Sequence, residues 1–128
     1  MRGDRGQALV LAVLALGLAA ATIVGLQAAQ DRILHDAHER RAGEAAVEAA
    51  GAALADAQIG FIGSLHDFAA DPLVADRARA AADELSALND GVPVRDLAIT
   101  ADAREIEVGL SIGAHRQRAA IETTCCRP

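Results

Sequence analysis

Ala8-Leu-Val-Leu-Ala-Val-Leu-Ala-Leu-Gly17-Leu-Ala-Ala-Ala-Thr22-Ile-Val-Gly25-Leu26 is a run of 19 residues without a charge. As a helix it reaches ~28 Å, close to the ~30 Å hydrocarbon thickness of a bilayer. A helix lying on a soluble core would carry a polar stripe. Here Thr22 is the only hydroxyl, and its side chain can bond back to its own helix. The run is expected to be a transmembrane helix over residues 8–26, anchored by Ala8, Leu11, Leu14, Gly17, Ile23 and Leu26.

The flanks give an orientation. Residues 1–7 form a leader in which Arg2 and Arg5 outweigh Asp4, whereas Asp31 and Arg32 nearly cancel beyond the far end. The positive-inside rule then places the N-terminus in the cytoplasm and residues 27–128 outside. That outer part holds ten arginines and 17 acids, a charge of −7. The competing reading is a cleaved secretory signal. The run exceeds the ~7–15 residues of a typical signal core, and small-x-small sites such as Ala19-Ala20-Ala21 lie inside it rather than after it.

Composition limits the rest. The chain has 128 residues, a net charge of −6, no lysine, no tryptophan or tyrosine, and two phenylalanines. It offers neither the basic surface nor the stacking rings that nucleic-acid binding uses, and no nucleic-acid partner is expected. About a quarter of the residues are alanine.

Helical signals continue past the membrane. From Gln27 to Gln58 there is no proline, and Arg40 to Leu54 is built largely of strong helix formers. Arg40, Glu44 and Glu48 recur every four residues as a polar stripe. Ala42, Ala46, Ala49, Ala50, Ala53 and Ala57 form a smooth stripe suited to close helix packing. Residues 27–70 therefore read as an alanine-rich helix that breaks at Gly60-Phe-Ile-Gly63, with Phe61, Ile62, Leu65 and Phe68 anchoring a small core. Asp71-Pro72 reads as an N-cap with proline at the first helical position, opening a second helix within residues 71–91 that Asn89-Asp90-Gly91 closes.

Beyond Gly91 the period changes from helical to alternating. Ile106, Val108, Leu110 and Ile112 point one way and Glu105, Glu107, Gly109 and Ser111 the other, which predicts a half-buried strand. Val94 to Thr100 is a weaker partner strand, and Gln117 to Thr124 a candidate third. Residues 92–124 thus form a small antiparallel sheet of two to three strands, which needs a helix across its apolar face. The fold class is α+β: a long N-terminal helix, a second shorter helix and this sheet.

Chemistry is sparse. His35 and His38 share a helical face at i and i+3 and form a weak candidate metal pair. A catalytic zinc needs a third protein ligand, and nothing in the spacing brings in His66 or His115. The order His-x-x-His-Glu also differs from the metalloprotease His-Glu-x-x-His. No phosphate loop, nucleophile elbow or Cys-x-x-Cys is present, so no enzyme activity, cofactor or small-molecule substrate is expected. Cys125 and Cys126, in the tail 125–128, are adjacent. A bond between them would be strained because neighbouring Cα atoms lie ~3.8 Å apart. They read either as a tail without a role or as a candidate disulfide pair, bridging to another chain or strained and redox-labile.

Arg5-Gly6-Gln7-Ala8-Leu9-Val10 opening onto an apolar span, followed by the block Ala42-Gly-Glu-Ala-Ala-Val-Glu-Ala-Ala50, resembles the Tad/Flp pilus-assembly proteins of the TadE/TadG type. The similarity covers about residues 5–55. It implies a pilin-like, single-pass protein of the bacterial inner membrane, with other pilus or secretion-system subunits, and candidate copies of itself, as partners. In family members that resemble cleaved type IV pilins, a glutamate stands five residues after the cleavage glycine. Counting from Gly6 that place is Leu11, which implies an uncleaved anchor of the TadG-like kind. The aspartate often found where the family's span ends is replaced by Gln27 and Gln30 nearby. The expected function is a structural component of a pilus-assembly or secretion apparatus acting by helix packing. The alternative is a membrane-tethered interaction or regulatory domain unrelated to pili, and the remotest reading is a small metal-dependent hydrolase.

Overall fold

The computed structural model describes residues 3–102 and 104–123, with side chains from residue 6 onward. The elements, in order, are α1 (Gly3–Gln58), α2 (Leu65–Ala70), α3 (Pro72–Leu88), β1 (Arg95–Ala101), β2 (Glu105–Ile112) and β3 (His115–Glu122). The chain divides into two compact units, Met1–Asp36 and Ala37–Pro128, and α1 contributes to both.

In the first unit α1 stands alone. It is helical from Gly3, so the described part of the leader belongs to the helix rather than preceding it. The Thr22 hydroxyl donates to the Ala19 carbonyl at 2.8 Å, the back-bond that makes a hydroxyl tolerable in an apolar helix.

The second unit has two layers. The sheet is antiparallel in the order β1-β2-β3, so the weaker strand and the candidate third strand both form. β2 is central, and its alternation is realised: Ile106, Val108, Leu110 and Ile112 are buried while the residues between them are not. Leu97 and Ile99 from β1, and Ala119 and Ile121 from β3, extend the same inner face. Against it pack Ala46, Val47, Ala50 and Leu54 of α1, Phe68 of α2, and Val74, Ala78 and Ala82 of α3. The small residues of α1 come close to β3. A Cβ at Gly43 would meet Gln117 of β3 at 3.0 Å, and one at Gly51 would meet Ile121 at 3.8 Å.

Two short-range devices shape the helices. Asp71 caps α3 by accepting from the Leu73 amide at 2.8 Å, with Pro72 following, as the sequence predicts. The α2 helix, in contrast, is not anticipated in the 60–70 break. Ser64 and Asp67 form a reciprocal capping box around it. Of the four apolar residues expected to anchor this region, Phe68 is fully buried and Phe61 meets it edge-on with ring centroids 5.1 Å apart. Ile62 does not join them. It is 98% exposed, because the Gly60–Gly63 segment is not helical and turns this side chain away from the core that Phe61 enters.

α3 ends in a Schellman motif. The Gly91 amide donates to Ser86 O at 2.8 Å and the Asp90 amide to Ala87 O at 3.2 Å. The left-handed residue of the Asn89-Asp90-Gly91 stop is Asp90, with φ 56°. Gly91 is needed for space instead: a Cβ there would lie 2.6 Å from the Ala42 Cβ of α1 and would also collide with the Ser86 hydroxyl. At the β2–β3 turn Gly113 is itself left-handed, with φ 55°, and the Glu39 carboxylate of α1 sits against it.

Candidate membrane anchor and helix surfaces

Every leucine, isoleucine and valine from Leu9 to Leu26 is exposed, by 58–75%. The residues expected to anchor the chain, Leu11, Leu14, Ile23 and Leu26, are among them, and Ala8 and Gly17 are exposed as well. Burying an aliphatic side chain is worth ~1.5–3 kcal/mol, so ten of them in water forgo on the order of 15–30 kcal/mol. That exceeds the ~5–15 kcal/mol net stability of a typical domain. The helix is long and apolar enough to cross a membrane, and none of its most apolar 18-residue window is buried against protein. Such an N-terminal helix suits a membrane span or a signal sequence.

The smooth stripe of α1 is divided between two environments. Ala42, Ala46 and Ala50 are fully buried inside the protein's own second unit, Ala42 against Gly91 and the other two in the core beneath the sheet. Ala49, Ala53 and Ala57 are half-buried. Ala49 and Ala53 line an open groove between α1 and α3 with Ala45, Ala52, Ala81 and Leu85, and Glu48 and Asp56 stand at its rim. On the opposite, polar stripe the exposed Arg40 and Glu44 side chains approach to 3.9 Å, a pair worth a few tenths of a kcal/mol.

The start of β1 is held by α3 side chains. Asp83 accepts from the Val94 amide at 2.8 Å, and Arg79, one turn earlier, donates to the Val94 carbonyl at 3.2 Å. Nothing in the sequence pattern marks this clamp, because Arg79 and Asp83 read as an ordinary i,i+4 surface pair.

His35 and His38 are exposed on α1, His66 is exposed on α2 and His115 begins β3. Among the described residues no three His, Cys, Asp or Glu side chains are grouped to hold a metal ion. Glu39, next to His38, is directed to the Gly113 turn. Cys125 and Cys126 lie outside the described residues.

The outer face of the sheet forms a shallow trough. Ala98 and Gly109 lie on its floor and Asp96, Glu107, Arg116 and Arg118 around it. Arg118 pairs with Glu107 at 3.3 Å. Asp96, with φ 52°, sits in the irregularity between Arg95 and Ala98 of the edge strand β1. Mixed charges and a flat floor give no arrangement of nucleophile, base and oxyanion donors. No family model matches the chain, and neither curated proteins nor solved structures yield a match.

Proposed function

We propose that this chain is a single-pass, membrane-anchored component of a Tad/Flp-type pilus-assembly or secretion apparatus, with its N-terminus in the cytoplasm and residues 27–128 outside. The observation that carries the anchor is the unburied aliphatic surface from Leu9 to Leu26. The leader and the alanine-rich block carry the family assignment. On this reading the protein acts structurally, through what α1 and the second unit touch.

A second reading, a membrane-tethered interaction domain unrelated to pili, draws support from one feature. Half of the alanine stripe offered for subunit packing is covered by the protein's own sheet and α3, leaving Ala49 and Ala53 in the open groove.

Alkaline carbonate extraction of native membranes, with mass measurement of the N-terminus, tests the anchor. The full chain, beginning before Gln7, should stay in the membrane pellet. A soluble chain trimmed beyond Leu26 overturns the anchor in favour of a signal sequence. Crosslinking in the native host separates the other two readings. Adducts with a pilus platform or pilin subunit support the first, and unaltered surface fibres in a strain lacking this chain favour the second.

A further inference from the structure

The apolar surface of α1 does not end squarely at Leu26. Ile33 and Leu34 are 68% and 58% exposed, and they stand seven and eight residues beyond Leu26, two helical turns on and on the same side. Ile23, Leu26, Ile33 and Leu34 thus make one apolar edge, interrupted by the uncharged Gln27 and Gln30. Asp31 and His35, one turn apart, and Arg32 and Asp36, also one turn apart, occupy the remaining circumference. All of these residues are exposed on the same unbroken helix.

We infer that the Ile33/Leu34 edge of α1 is a second membrane-contact surface, seated at the boundary between lipid headgroups and acyl chains. The inference rests on the spanning reading of residues 8–26 and extends it. Continuity with the span identifies lipid as the occupant. The edge is the direct prolongation of a face already in the bilayer, and the polar circumference begins where that face is left behind. Leu34 lies ~12 Å beyond Leu26 along the axis. The polar interface is ~5–8 Å deep on each side of the hydrocarbon, and transmembrane helices tilt by ~20° on average, up to ~40°. A helix leaning toward the Ile33/Leu34 side brings that edge down to the interface while raising Asp31 and Arg32 into water. Amphipathic helices bind at this level by the same division of faces. The apolar band is therefore oblique, and it sets the direction in which the helix leans.

Nitroxide labels read the depth directly. In the full-length chain carrying Cys125→Ser and Cys126→Ser, a single cysteine is introduced as Leu34→Cys, Asp31→Cys or Leu18→Cys, labelled, and reconstituted into phosphatidylcholine vesicles. The zwitterionic lipid removes any contribution from net charge. The relaxation by oxygen relative to a water-soluble nickel chelate should be about threefold greater at position 34 than at position 31, with position 18 deepest. Equal, water-like values at 31 and 34 with a deep value at 18 overturn the inference and leave the span intact. A water-like value at 18 overturns the span and the inference together. Strong spin–spin broadening at 34, with both reagents excluded, shows that a second copy covers the edge instead of lipid, and also overturns it.

Discussion

The Ser86 hydroxyl, fully buried on α3, donates to the Val92 carbonyl at 2.7 Å. That bond folds the connection between α3 and β1 back over the helix end and places Gly91 against Ala42 of α1. Ser86→Ala leaves the Val92 carbonyl without this donor and should cost ~1–2 kcal/mol. Thermal unfolding of the full chain in detergent micelles, followed by circular dichroism, measures the loss. An unchanged midpoint would mean the bond is not needed to hold the connection.

The two residues that end α3 should respond in opposite directions. Asp90 bears the left-handed conformation at a cost that glycine avoids, so Asp90→Gly should stabilise by ~0.5–1 kcal/mol. At Gly91 an added methyl has nowhere to go between Ser86 and Ala42, and Gly91→Ala should destabilise by ~1–3 kcal/mol. Placing the two variants in the reverse order of stability would show that the close approach of α3 to α1 is not maintained in solution.

Val94 is clamped on both sides of its peptide by one face of α3. Asp83→Ala removes a charged acceptor from a buried residue's amide and should cost ~1.5–3 kcal/mol, while Asp83→Asn, which keeps an acceptor, should cost less. Amide hydrogen exchange is the specific readout. Exchange at Val94 should quicken in Asp83→Ala more than at the central strand residue Val108. Uniform quickening across the sheet would indicate general destabilisation instead.

Gln58, the last residue of α1, has a buried side-chain nitrogen with no hydrogen-bond partner. Leaving such a donor unsatisfied costs ~1–3 kcal/mol, so Gln58→Met, similar in length and apolar, should raise the unfolding midpoint. A lower midpoint would mean that the amide is satisfied in solution.

The α2 cap should respond to acid. Its Asp67 carboxyl is held below the usual aspartate range, first by the side-chain hydrogen bond with Ser64, which lies at 2.6 Å, then by the Ser64 backbone amide. A folded-state value below the unfolded one contributes stability above the unfolded pKa, and that contribution disappears as pH falls through the lower, folded value. Amide exchange in α2 should therefore rise as pH is lowered through the acidic end of the carboxylate range, after correction for intrinsic exchange. The Ser64→Ala variant should show a shallower response. Identical profiles would exclude the cap as the source.

The parts legible in sequence are those written in local order. The uncharged run from Ala8 to Leu26 needs only its length and composition to be read as an apolar helix. Asp71-Pro72 announces the start of α3, and the alternation from Glu105 to Ile112 announces β2, because each pattern repeats over a few adjacent residues. The short helix α2 left a local signal too, in Ser64 and Asp67, which the two neighbouring glycines obscured.

What the tertiary structure alone decided are the pairings between distant residues. Ala42, Ala46 and Ala50 look like Ala49 and Ala53 along the chain, yet the sheet and α3 cover the first three and leave the others at an open groove. Gly91 looks like a helix-ending glycine, yet Asp90 takes that conformation and Gly91 serves the contact with Ala42, 49 residues earlier. The physical reason is that hydrophobic periodicity determines which face a segment buries, whereas the partner for that face depends on which side chains fit at close range. That fit exists only once the chain has returned on itself.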